Sequence, residues 1–280
     1  MDYTTLIIPA LGIIVGILMG LTGAGGGILS VPLLVFFAHL TIAQAAPIGL
    51  CAVALASSVG AILGLKNNTL RYRAAGFMAL FGLALSPLGL WIAPQIPNTP
   101  LQILFALILL LVAVRLLLEA SREIRKIPEK LRVAPPCLMN AAIGKLTWTL
   151  PCARALLLAG SLAGFLSGLL GVGGGFIIVP ALKRYTDLPI KSIVATSLGV
   201  LAIITGGGAI FAGFTGALNI ELAAPFAIAA LGGLLFGQLL SYRMRGSHIQ
   251  LIFALLTLTV ALGLLIKAAL ALNLSISFIA

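Results

Sequence analysis

The chain alternates long apolar stretches with short polar interruptions. The apolar stretches cover 6–37, 43–65, 74–93, 101–118, 155–182, 193–214, 222–240 and 249–266. Within them apolar residues follow one another without the in-and-out alternation that a strand of a membrane barrel requires. A bilayer core of about 30 Å takes about 20 helical residues, so these are spanning lengths. The pattern predicts an all-α integral membrane protein. The first stretch reads as mature structure and not as a secretory signal, because Asp2 stands where a basic segment belongs and the apolar run is too long.

The second half repeats the first at an offset of 148 residues, the distance from Gly12 to Gly160. Gly12, Gly16 and Gly20 fall on Gly160, Gly164 and Gly168, and Gly23, Gly25, Gly26, Gly27 and Pro32 fall on Gly171, Gly173, Gly174, Gly175 and Pro180. The register continues ungapped through Gly60, Gly89 and Gln102 to Gly208, Gly237 and Gln250. The expected organisation is a first transmembrane repeat over 1–120, a basic cytoplasmic linker over 121–151 and a second repeat over 152–280. Internal duplication of this kind is common in transporters.

The orientation of the repeats depends on the glycine-bearing stretch. Residues 6–37 are too many for one span, yet 28–38 cover only about 17 Å as a helix and cannot cross alone. A re-entrant hairpin that turns at Gly23–Gly27 leaves three further crossings per half, which inverts the second copy. Charge favours this arrangement. It puts 16 of the 17 basic residues on one side, with Lys267 opposite, whereas four spans per half split them 12 against 5. The hairpin model therefore follows the positive-inside rule better and puts both termini outside.

Composition agrees with a membrane chain: 61% of residues are hydrophobic and 8% charged, against roughly a quarter charged in a soluble domain. The net charge of +11 is read as topological, and no nucleic-acid partner is expected. Cys51 lies in an apolar run, and Cys137 and Cys152 sit in and at the end of the linker without metal-type spacing, so neither a disulfide nor a metal site is expected.

Three consecutive glycines inside an apolar helix cost about 1 kcal/mol each relative to alanine, so the helix is expected to break at both motifs. Broken helix at membrane depth survives only inside the protein or along a watery cavity. A helix restarting there offers unpaired N–H groups and a positive dipole end to an anion, and glycine lets the anion approach the backbone. The candidate substrate-binding residues are therefore Gly23, Gly25, Gly26 and Gly27 with Gly171, Gly173, Gly174 and Gly175. Thr22, Ser30, Thr196 and Ser197 are candidate hydroxyl donors, although a helix hydroxyl more often bonds its own backbone. Gly12, Gly16, Gly20 and their counterparts have the four-residue spacing of close helix packing. The six acidic residues fall at ends and loops, so no buried proton-relay acid is evident.

With these doubled motifs, Gly23-Ala24-Gly25-Gly26-Gly27 before Pro32 and Gly171-Val172-Gly173-Gly174-Gly175 before Pro180, the chain resembles the sulfite exporter TauE/SafE family. The segment Leu188-Pro189 through Thr196-Ser197-Leu198 is also similar to that family's, whereas its first-half counterpart reads Pro47-Ile48-Gly49-Leu50-Cys51. The resemblance implies transport of sulfite, a sulfonate such as sulfoacetate, or a related sulfur anion such as thiosulfate across the cell inner membrane. The expected function is export by alternating access, without catalysis and without a cofactor. The alternatives are an anion channel and an assembly or enzymatic component of sulfur metabolism. Homo-oligomerisation is left open.

Overall fold

The computed structural model describes residues 3–124, 137–140, 145–146, 149–241 and 246–277. The first half comprises α1 (Tyr3–Thr22), a 3-10 segment (Gly23–Leu29), α2 (Ser30–Phe37), α3 (Ile42–Lys66), α4 (Tyr72–Ile92) and α5 (Asn98–Ile124). The second comprises α6 (Leu150–Leu170), α7 (Gly175–Tyr185), α8 (Ile190–Phe214), α9 (Ile220–Ser241) and α10 (Gly246–Ser277). Among the described residues, seven helices (α3–α6 and α8–α10) are long and apolar enough to cross a membrane. The only strands described are a two-residue pair between the halves, Met139–Asn140 against Lys145–Leu146. Local chemistry starts the helices. Thr41 and Gln44 close a reciprocal capping box at the head of α3, and the Thr149 hydroxyl accepts from the Cys152 amide at the head of α6.

Each hairpin packs on the other half: α1 lies along α9, and α6 along α4. Glycine permits the close approach. A methyl group on Gly12, Gly16 or Gly20 would overlap the carbonyls of Phe226, Ala230 or Leu234, and one on Gly160, Gly164 or Gly168 would overlap those of Met78, Gly82 or Ser86. Every contact in the first set recurs in the second at the 148-residue offset, and in both sets residue numbers rise together, so the paired helices run parallel. Two pairs of equivalent helices, α3 with α8 and α5 with α10, pack antiparallel. Gly60 and Gly64 of α3 meet Leu198 and Ala195 of α8 in descending order. Glu119 near the end of α5 accepts from Gln250 near the start of α10. The core fills the spaces between these pairs, with Phe105 and Phe226 among its largest fully buried side chains.

One expectation is corrected. Cys137 and Cys152 form a disulfide, with their Cα atoms 5.1 Å apart and a separation of 15 positions in sequence. The segment between the halves doubles back through the short strand pair, and the Cys137 amide donates to the Tyr185 carbonyl at 3.1 Å. That contact brings Cys137 to the ends of α6 and α7. Spacing along the chain carried no sign of the fold-back.

Candidate functional site

The two glycine motifs take different backbone paths. In the second, α6 ends at Leu170, Gly171 has φ 72°, Gly173 and Gly174 have φ 78° and 67°, and α7 restarts at Gly175. Only glycine enters this left-handed region freely. The first bonds of the restarted helix run from the Ile177 and Ile178 amides to the Gly174 carbonyl. The amides of Gly175 and Phe176 therefore precede any intrahelical acceptor. In the first motif only Gly23 is left-handed, at φ 72°, and the chain turns through the 3-10 segment directly into α2. Gly26 there lies tight against the backbone of Leu18 and Met19, so the chain folds back on α1. A free half-helix start is thus present at Gly175 and replaced by a continuous turn at Gly25–Gly27.

Val53 of α3 wedges between the two motifs. A methyl on Gly27 would stand 2.8 Å from Val53 Cγ2 and 3.6 Å from the Val172 carbonyl, and one on Gly173 would stand 2.7 Å from Val53 Cγ1. Gly49 faces both halves as well, its methyl position lying 2.7 Å from the Gly171 carbonyl and 2.9 Å from Ser30 Oγ. Gly27, Ser30, Gly171 and Gly173 are therefore brought together around α3, and Gly174 seats on Ala163 of α6. Gly23 faces Val194 of α8. Gly25 is half-buried and faces Phe253 and the Thr22 hydroxyl.

The hydroxyls divide by partner. Thr22, Ser30 and Ser197 donate to the carbonyls of Leu18, Gly27 and Val194 at 2.7, 2.7 and 2.9 Å. Thr196 lies apart from the glycines, where its oxygen accepts from the Arg71 amide at 3.1 Å. Three buried hydroxyls escaped the sequence reading. Thr205, whose methyl sits 3.3 Å from the methyl position of Gly173, is the repeat counterpart of Ser57, and that correspondence was the available signal. Ser86 and Ser167 are fully buried, and neither hydroxyl has a hydrogen-bond partner.

The regions built from equivalent residues on the two faces, called mouths below, differ. Toward the face of the chain termini, a cavity of about 390 Å³ opens between Leu40, Gln44 and Ile48 of the α3 end and Gly216–Asn219 and Leu222 of the α8–α9 connection. Gln44 and Asn219, both of which line the cavity, use their side-chain oxygens to accept from the Thr41 and Leu222 amides. On the basic face the equivalent space is filled. Leu188 and Ser192 are 6% and 3% exposed, whereas their counterparts Leu40 and Gln44 are half-buried and exposed; Thr196 and its counterpart Ile48 are buried alike. Leu70 tucks against Gly199, and the Arg71 backbone amide donates to the Thr196 hydroxyl.

A family model for the sulfite exporter TauE/SafE family matches residues 8–264. A probable membrane transporter protein of Xylella fastidiosa is 30% identical over 259 residues, 90% of this chain and 91% of that protein. Another from Methanocaldococcus jannaschii is 30% identical over 214 residues, 73% of this chain and 72% of that protein. The probable membrane transporter protein YunE of Bacillus subtilis is 24% identical over 266 residues, 92% of this chain and 96% of that protein. A match that runs through both glycine motifs and both sets of spans settles the kinship: the chain belongs to the sulfite exporter TauE/SafE family.

Proposed function

We propose that this chain is a carrier that exports a small sulfur-containing anion, sulfite, thiosulfate or a sulfonate such as sulfoacetate, across the cell inner membrane. It works as a membrane transporter and not as an enzyme. The anion sits between the two glycine turns, held by backbone amides at the start of α7 and by neighbouring hydroxyls. The antiparallel packing of α3 on α8 and of α5 on α10 supports inverted repeats, because a two-fold axis lying in the membrane plane reverses the direction of equivalent helices.

One observation carries the reading: two mouths built from equivalent residues stand in opposite states, one a cavity and the other packed shut. An inverted-repeat carrier alternates access by exchanging the conformations of its halves. The glycine motifs carry the same asymmetry, and glycine allows either motif to adopt either path. A channel would require both mouths open at once. No proton-coupling acid is needed for export, since one negative charge leaving a cell at −100 mV gains about 2.3 kcal/mol. The test is counterflow in proteoliposomes loaded with sulfite, thiosulfate or sulfoacetate. A carrier gives saturable uptake that is accelerated by anion on the far side. Flux without saturation or counterflow rules out the carrier, and no flux of any of the three anions rules out the assignment.

A further inference from the structure

The two mouths share a backbone and differ in charge. Asn68 and Gly216 are repeat counterparts, both left-handed at φ 52° and 69°. The amides of Thr69 and Leu70 donate to the Gly64 carbonyl just as those of Ala217 and Leu218 donate to that of Ala212. On this common frame the basic face carries Arg71 and Arg73 where the opposite face carries Asn219 and Glu221. Lys191 likewise stands where the other half has Ala43, and Asp187 where it has His39. The positive-inside rule accounts for Arg73 and Lys191, which are exposed, because topology needs only charge near a span end. It does not account for the position of Arg71, which is half-buried at the head of α4 with its amide on Thr196 inside the closed mouth.

We propose that Arg71 captures the anion at the basic-face mouth and that Asn219, in the equivalent place opposite, releases it, so that this pair makes the carrier's affinity for the anion higher at the basic face than at the other. The inference rests on the carrier reading above. A guanidinium offers two parallel N–H donors to two oxygens of a sulfite or sulfonate group, a match that a halide cannot make. When the basic-face mouth opens, Leu70 withdraws and Arg71 lines the entrance. The opposite mouth offers only neutral amide donors, with Glu221 in the first turn of α9 nearby, so the anion leaves readily.

The test uses the full-length protein in proteoliposomes of known orientation, with labelled sulfoacetate and thiosulfate counterflow measured from each face. Arg71→Gln should raise KM at the basic face by about tenfold and leave KM at the other face and the maximal rate little changed. Arg71→Lys should recover part of the loss, and Arg73→Gln should do nothing. Asn219→Arg, which leaves the basic-face mouth intact, should lower KM at the opposite face and slow net export. Equal KM values for wild type and Arg71→Gln at both faces, or an Asn219→Arg variant identical to wild type, overturn the proposal while the carrier stands. A wild-type protein that moves neither anion overturns both.

Discussion

Glu119 and Lys267 hold the same position in the two halves, and each tethers the far end of a half-helix from its own face of the molecule. Lys267 on α10 donates to the carbonyl of Val35 in α2 at 3.0 Å, and Glu119 on α5 accepts from Lys183 of α7 at 3.0 Å. Val35 and Lys183 are themselves repeat counterparts. The chemistry differs, cation to carbonyl on one face and ion pair on the other, but the mechanical link is the same. Both half-helices are tied to the α5–α10 pair.

The two ties should differ in strength. Lys267 is half-buried over the Phe36 ring, 5.6 Å from its centroid. Its charged hydrogen bond to the end of α2 is worth about 1.5–3 kcal/mol and also complements the helix dipole. The Glu119–Lys183 pair is 45% and 34% exposed, and pairs that open to solvent are worth at most about 1 kcal/mol. Lys267→Met should therefore lower the melting temperature of the detergent-solubilised protein clearly more than Glu119→Gln. Equal shifts would deny that the α2 tie is the stronger.

Left-handed glycine conformations make a sharper demand. An alanine at Gly173 must hold φ near 78°, which costs about 1–2 kcal/mol for an L-residue, and its methyl would press on Val53 at 2.7 Å. Gly76, exposed in the second turn of α4, has nothing within 4 Å of its methyl position, and alanine there gains about 1 kcal/mol of helix propensity. Gly173→Ala should thus destabilise and Gly76→Ala should stabilise or leave the melting temperature unchanged. A stable Gly173→Ala would mean that the second motif does not hold its left-handed path.

The spans, the duplication and the two glycine turns were legible because each leaves a local mark: runs of apolar residues, a fixed offset, glycines in a row. What was not legible depended on which surfaces meet. Gly12 and Gly160 announced close packing, but nothing along the chain said that each hairpin crosses to the other half. Arg71 looked like any other basic residue of a cytoplasmic loop until its half-buried place beside Thr196 set it apart. Thr22, Ser30 and Ser197 were picked out for their hydroxyls, yet each donates to a nearby carbonyl of its own segment. Two buried hydroxyls without a partner, Ser86 and Ser167, sit on α4 and α6 beside Gly168 and Gly171, where the run of glycines drew attention away from them.

The crossed packing predicts matched losses. Gly16 lies on Ala230 and Gly164 on Gly82 as equivalent contacts, so a valine at either forces a parallel helix pair apart by the same route. Overpacking of this kind costs about 1–3 kcal/mol. Gly16→Val and Gly164→Val should lower the melting temperature by similar amounts. A large effect at one site and none at the other would argue against the equivalence of the two crossings.

The Cys137–Cys152 pair tests the topology itself. Disulfides persist in oxidising compartments and are rare in the cytosol, whereas the proposed inverted-repeat arrangement would put the segment between the halves on the cytoplasmic side, with 16 of the 17 basic residues. The charge argument is the weightier, because it sums over every connection on that face while the sulfur pair reports on one. Both thiols should therefore be reduced in living cells and close to the observed link, Cα to Cα 5.1 Å, once the protein meets an oxidant after lysis. Closing a loop of about 15 residues stabilises by about 3 kcal/mol in the chain-entropy model, so reductant should lower the melting temperature of the oxidised wild type and leave Cys137→Ser unaffected. Trapping thiols with a maleimide in intact cells decides the matter. Two alkylated cysteines place the segment in the cytoplasm, and a link already formed before lysis turns the molecule over in its membrane.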